Sequence, residues 1–272
     1  LDPYGRLEGL LETTAIFAGL INKDEIKVNG AALCEDDHPT NRIQLTAVKH
    51  ASGSAWWSQS VDLTKDWVSS FDITAFNGSG TSDGFAFVIN GDPSGLNALG
   101  DGGQNLGFFG YDSKVGIGRS YAVIFDMWTT HSASLIGFAG SSVDLVPQGS
   151  AQSPVPLANN AYSAKISYSA ALKSLSLSIG DKTFKQDVDL QAVAGGRAYL
   201  GFTAASGVGT LDTDVSNWSV VASKYQPSPL VRGNSIYVVV DGPAWGQAEA
   251  TAVELGGHLV TINDGSENSW IA

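Results

Sequence analysis

Phe85-Ala86-Phe87-Val88-Ile89 and Ala122-Val123-Ile124-Phe125 are apolar at every position. Both runs are short and rich in aromatic and β-branched residues, which suits strands. Side chains alternate across a strand, so a strand apolar at every position is covered on both faces. Ser174-Leu175-Ser176-Leu177-Ser178-Ile179 is different: leucine and isoleucine face one way and the serines the other. That strand is half buried, as in one sheet of a sandwich. Together the two patterns predict an antiparallel β-sandwich in which one sheet is also covered on its outer face by long loops.

Working outward, β-prone runs separated by turn residues recur at Ile43–Val48, Trp67–Phe76, Gly84–Asn90, Tyr121–Trp128, Leu135–Ala139, Tyr162–Tyr168, Ser174–Ile179, Tyr199–Thr203 and Trp218–Val221. No helical period of useful length lies between residues 26 and 222. Residues 1–25 read as an amphipathic lead-in packing on the sandwich, with Leu7, Leu10, Leu11 and Ile16 near helical spacing but interrupted by Gly5, Gly9 and Gly19. The sandwich is assigned to 26–222 and a linker to 223–234, where Gln226-Pro227-Ser228-Pro229 breaks any ladder. Beyond it, Ser235–Val240 reads as a strand, Trp245–Leu255 as a helix and Leu259–Ile262 as a second strand. This strand–helix–strand piece, 235–272, has too little apolar surface for an independent domain. It reads as the opening portion of a second one.

Composition narrows the function. The net charge of −12 repels nucleic acid and anionic membranes, is indifferent to a neutral sugar and attracts calcium. No run of 18 apolar residues is present, so membrane insertion by a helix is not expected. Cys34 is the single cysteine and cannot form an internal disulfide. The abundance of Ser, Thr, Asn and Asp leans towards an extracellular or cell-surface setting, and the start at Leu1 suggests that an upstream segment has been removed or not included.

Catalytic signals are weak. No Glu lies between Glu35 and Glu249, and the close acid pairs of the middle region are Asp187/Asp189 and Asp212/Asp214. The first reads as a solvated strand edge; the second follows a glycine-rich loop and could border a pocket. Glycan hydrolysis needs two carboxyl groups across the scissile bond, and neither pair is a good candidate. His38, His50, His131 and His258 lack metal-ligand spacing, and nucleophile-elbow, phosphate-loop and dinucleotide motifs are absent. Saccharide binding asks for less: an acceptor carboxylate, backbone N–H donors from an open loop and an aromatic face. Asp83 at the mouth of a buried strand supplies the first, Gly100-Asp101-Gly102-Gly103-Gln104-Asn105 the second, and Trp128 or Phe109 the third, with Gly207–Thr210 closing the site. The plain alternative is that these are sandwich turns and that Trp128 is core.

These residues carry a resemblance. Ser82-Asp83-Gly84-Phe85-Ala86-Phe87-Val88-Ile89, Tyr121-Ala122-Val123-Ile124-Phe125-Asp126, and Gly201-Phe202-Thr203-Ala204-Ala205-Ser206-Gly207 with Asp214-Val215-Ser216-Asn217-Trp218-Ser219 resemble, in order, three motifs of the legume-type (L-type) lectins. The resemblance spans roughly 15–222 and implies a concanavalin-like jelly roll that recognises carbohydrate without catalysis. It implies that Asp83 accepts hydrogen bonds from the sugar, Gly102 or Gly103 donates a backbone N–H, Trp128 is the aromatic at the site, and Gly207, Thr210 and Leu211 tune specificity. It also implies a calcium ion held by Asp126, Trp128 and Thr130, supporting a cis peptide before Asp83. Ile124 stands where the family carries a transition-metal Glu, so no transition metal is expected, and Thr130 replaces an Asn, so the calcium set is incomplete. The alternatives are a structural or protein-interaction module with no working sugar site and, third, a glycan hydrolase or lyase. The tail, with Leu255-Gly256-Gly257-His258-Leu259-Val260-Thr261-Ile262 and Glu267-Asn268-Ser269-Trp270-Ile271, resembles the opening of a C-type-lectin-like domain and points to a larger multidomain protein, with protein partners and cell adhesion among its possible uses.

Overall fold

The computed structural model describes residues 16–34, 42–79, 83–110, 116–127, 135–140, 148–152, 157, 160–223, 230–232, 235–237, 245–254, 257–262 and 264–271. Two units divide the chain, Leu1–Tyr225 and Gln226–Ala272. The first runs β1 (Ile16–Leu20), β2 (Ile26–Gly30), β3 (Leu33–Cys34), β4 (Ile43–Thr46), β5 (Ser52–Asp62), β6 (Trp67–Ser79), β7 (Gly84–Asn90) and β8 (Ser120–Asp126). It continues through β9 (Leu135–Gly140), β10 (Gln148–Gln152), β11 (Asn160–Ser169), β12 (Ser174–Ile179), β13 (Lys182–Asp187), the helix α1 (Leu190–Ala194), β14 (Arg197–Ala205) and β15 (Thr210–Ser223).

Eight of these strands form one sheet in the order β13-β12-β11-β6-β15-β4-β3, with β1 also on β15. The other seven form a second sheet, β10-β9-β8-β7-β14-β5-β2. All pairings in both sheets are antiparallel. β15 is long enough to carry two strands in succession: β4 pairs with Thr213–Val215, and β1 with Ser219–Ser223. The lead-in thus contributes Ile16–Leu20 to the sandwich as a strand.

Between the sheets lies one aromatic-rich core. Phe202 on β14 sits with its ring 4.8 Å from Phe71, 5.3 Å from Phe87 and 4.8 Å from Trp218. The indole N–H of Trp218 donates to Ser69 Oγ at 3.0 Å, which satisfies a polar atom in an otherwise apolar layer. Phe85, Phe87 and Ile89 of β7, with Tyr121, Val123 and Phe125 of β8, point into this core. The alternate residues Ala86, Val88, Ala122 and Ile124 point the other way, into a second cluster with Trp56, Leu96, Ala98, Leu106, Phe108, Phe109 and Ile117. The loop after β7 is therefore a third layer. It is tied down at Ala98, whose carbonyl accepts from Ser54 Oγ at 2.8 Å and Trp56 Nε1 at 2.9 Å, and at Leu96, whose carbonyl accepts from Asn29 Nδ2 at 2.8 Å.

Two sequence expectations change here. Asp189 is not on the strand edge with Asp187. It caps α1, accepting from the Ala192 N–H at 3.2 Å and pairing with Lys173. Asp212 and Asp214 are engaged by neighbours on the eight-stranded sheet: Gln44 Nε2 donates to Asp212 at 3.0 Å, and Arg42, just before β4, pairs with Asp214 at 2.7 Å.

The second unit contains a hairpin of β16 (Leu230–Arg232) and β17 (Ser235–Tyr237), then α2 (Trp245–Glu254) and α3 (Gly265–Ile271). Trp270 packs edge-on to Tyr237 at 4.9 Å and beneath the Arg232 guanidinium at 5.5 Å. Leu259–Ile262 is not the expected strand. The Leu259 N–H goes to the Glu249 side chain at 2.9 Å rather than to a ladder, and Glu249 also pairs with His258 at 2.7 Å.

Phe202→Ala would remove the ring that joins three others across the core, a cost of about 3–5 kcal/mol for a buried Phe. Chemical denaturation followed by tryptophan fluorescence should show that loss with an unchanged m-value.

Candidate functional site

The site begins with a glycine. Gly84 opens β7 opposite Asp126 of β8, with φ +142, and a Cβ there would lie 2.2 Å from the Phe125 carbonyl oxygen. Only glycine fits that approach. The preceding Asp83 is thereby held at the strand mouth, its carbonyl accepting the Met127 N–H at 2.9 Å. Asp83 is 2 % exposed, and its Oδ2 has no hydrogen-bond partner among the described residues.

Gly207 forms the facing wall. A Cβ at that position would lie 2.8 Å from Asp83 Oδ2, so the absence of a side chain lets the loop close onto the carboxylate. The charge on Asp83 is contested. Burial, and then repulsion from Asp126, push its pKa above the usual carboxylate range; the Gly207 N–H and the charge of His50 pull the other way, and burial outweighs them.

The glycine-rich loop meets the same sheet. Gly107 packs against the Ala204 carbonyl at 2.9 Å from its Cβ position, and Ala204 pairs with Phe85, one residue from Gly84. Within the loop, Gly100 N–H donates to Gly107 O at 2.6 Å and Asp101 N–H to Phe109 O at 2.9 Å. Gly102 is exposed, and no atom lies within 4 Å of a Cβ built on it or on Gly103, so both backbones are open to a ligand. Asn105, 3 % exposed, anchors the loop by donating from Nδ2 to the Gly102 carbonyl at 3.1 Å.

The remaining candidates divide. Thr210 opens β15, half-buried, opposite Ser79. Leu211 is 0 % exposed and belongs to the intersheet core, so its side chain does not reach a ligand; its carbonyl accepts from Thr46 Oγ1 at 2.8 Å. The alternation of β15 turns it inward. Phe109 is likewise spent in the second cluster and is no sugar platform. Asp126 is half-buried at the end of β8. Trp128 and Thr130 lie outside the described residues, as does Ser82 of the peptide before Asp83. Among the described residues, no group of three or more His, Cys, Asp or Glu side chains could hold a metal ion. Ile124, at the family's transition-metal position, is 1 % exposed and packs in the second apolar cluster. Sequence reasoning gave no role to His50 or Ser206, because neither Lys49-His50-Ala51 nor the Gly201–Gly207 motif shows that these two loops meet.

Residues 15–233 match the family model of the legume lectin domain. The chain belongs to that family. This makes it a non-catalytic carbohydrate-recognition module. No curated protein matches it. Among solved structures, the Bauhinia forficata lectin in complex with GalNAc is 19 % identical with a TM-score of 0.64, covering 77 % of this chain and 98 % of that one. Arcelin-5 of Phaseolus vulgaris, a lectin-like defense protein, is 17 % identical with a TM-score of 0.63, covering 77 % and 97 %. Lectin I-B4 of Griffonia simplicifolia, in a metal-free form, is 21 % identical with a TM-score of 0.58, covering 72 % and 92 %. At these identities the likeness shows the fold, an all-β concanavalin-like jelly roll.

Asp83→Asn keeps the shape and removes the buried charge. An acid whose folded pKa is raised holds more protons folded than unfolded, so its contribution to stability falls as pH rises from its unfolded value of 3.8 through the folded one. The variant should therefore melt higher than the parent at neutral pH, with the difference vanishing in acid; equal melting temperatures across the range would contradict the assigned cause. Gly207→Ala should melt lower, because its methyl must displace the Asp83 carboxylate.

Proposed function

We infer that the saccharide binds at the mouth of the seven-stranded sheet, over Asp83. The observation that carries this reading is the Asp83 carboxylate: buried, held by the Gly207 loop, and with one oxygen lacking a partner among the described residues. An uncompensated buried carboxylate is costly, and a ligand hydroxyl would supply the missing donor. Gly102 or Gly103 donates a backbone N–H from the open loop, Gly207 and Thr210 form the rim, and Trp128 supplies the apolar face. The setting is extracellular or at a cell surface, and the ligand is a glycan or polysaccharide.

Calcium is part of this reading. Asp126 would supply a carboxylate ligand at the end of β8, with the carbonyl of Trp128 and the hydroxyl of Thr130 completing its share of the shell. A cation there would also screen Asp126 from Asp83, favouring the ionised acceptor. The 235–272 segment is read as the opening of a C-type-lectin-like domain in a larger protein that acts in adhesion. A second reading, an interaction module without a sugar site, draws on Ile124, a buried apolar side chain where the family carries its transition-metal Glu.

Glycan- and polysaccharide-array binding, with calcium and with excess chelator, tests the choice. Calcium-dependent binding lost in Asp83→Ala and weakened at least tenfold in Asp126→Asn is the expected result, a buried hydrogen-bonded charge being worth a few kcal/mol. Folded protein that binds no saccharide in either condition would move the assignment to the interaction module.

A further inference from the structure

The loop between β4 and β5, residues 47–51, lies outside every motif that the sequence offered, yet it is locked to the specificity loop. Ser206 is 0 % exposed and makes contacts in three directions. Its hydroxyl donates to the Val48 carbonyl, its Oγ accepts the Ala51 N–H at 3.3 Å, and its own N–H donates to the Ala51 carbonyl at 2.9 Å. One residue on, the Gly207 carbonyl accepts the His50 N–H at 2.9 Å. Gly207 is also the residue that abuts Asp83 Oδ2. The two loops are therefore one body at the edge of the site.

His50 is unusual in three respects. Its backbone is left-handed, φ +53, in a residue other than glycine. Its side chain is exposed, so the imidazole is accessible to a ligand. It stands close enough to Asp83 for its charge to act on that carboxylate. Strain of this kind is maintained where the surroundings over-determine it, and here the surroundings are the Ser206 clamp. The result places an imidazole on the rim loop that is tied through Gly207 to the Asp83 carboxylate. Lys49 precedes His50 on the same exposed loop, placing positive charge at the rim of a site whose floor is acidic, in a protein of net charge −12.

We propose that the 47–51 loop is a further arm of the saccharide site and that His50 recognises an acidic substituent, a uronate carboxylate, on the sugar whose hydroxyl Asp83 holds. Asp83 and Asp126 would repel such a group over the floor of the site, so the arm orients the acidic sugar with its carboxylate towards His50. This inference rests on the saccharide reading above and adds the ligand class to it.

The test compares oligogalacturonate with its methyl-esterified form, which keeps the skeleton and removes the charge, alongside the neutral glycans of the array. The parent protein should prefer the acid. His50→Asn tolerates the left-handed backbone and keeps the main-chain bond to Gly207 while removing the imidazole. It should lower affinity for the acid about tenfold more than for the ester, the worth of one charge-assisted hydrogen bond. His50→Lys should retain the preference, and Ser206→Ala, which loosens the whole arm, should weaken both ligands alike. Equal affinity of the parent for acid and ester, or equal losses in His50→Asn, would overturn the role of His50 and leave the saccharide reading standing. Binding of no glycan at all would remove the reading itself.

Discussion

The fold depends on the constraint that β7 and β8 be covered on both faces. Phe85, Phe87 and Ile89 bury into the intersheet core, and Ala86 and Val88 into a cluster on the outside. A strand of this kind at the middle of a seven-stranded sheet requires a second sheet on one side and an ordered loop layer on the other. That loop layer carries Gly102 and Gly103. The apolar outer face thus organises the part of the molecule that is open to a ligand: Ala86 and Ala122 are small, and beside Trp56, Val88 and Ile124 they leave room for Leu106, Phe108 and Phe109 to press down.

The end of the same strand carries the proposed site, and there the physics is reversed. Asp83 is buried where burial disfavours its charge, and Asp126 adds to the penalty. The fold tolerates this because glycines at positions 84 and 207 allow the backbone to approach where a side chain could not. A group that is uncomfortable in the empty protein and satisfied by a ligand is what a binding site requires, since its relief contributes to affinity. The clamp of Ser206 and His50 follows the same logic: a hydrogen-bonded loop pair fixes the rim of the proposed site, so that little ordering would remain to be done on binding.

Much of the sandwich was legible because periodicity survives in single strands. Ser174–Ile179 and Gly84–Asn90 read with their observed bounds. The strand β5, next to the sheet edge, escaped, since Ser52-Gly53-Ser54-Ala55 is small and polar; Gly53 has the Leu45 carbonyl oxygen 2.2 Å from where a Cβ would be, and close approach rather than β propensity put it there. α1 escaped because five residues carry no period, and it is held by an Asp cap and by burial of Leu190 and Ala194. At the site, Asp83 and the glycine loops were marked by local motif. The inward turn of Leu211 was not legible, because motif position says nothing about which face of β15 a side chain takes.

The sequence by itself determined the two-faced strands, the alternating ones, the Asp-Gly step at the strand mouth and the acidic balance, because each is a property of adjacent residues. The tertiary structure alone decided which loops meet. Residues 50 and 207 lie more than 150 positions apart, as do the 206 hydroxyl and the Val48 carbonyl, with |i−j| of 158. Contacts across that separation are set by sheet order and register, and no local pattern encodes them.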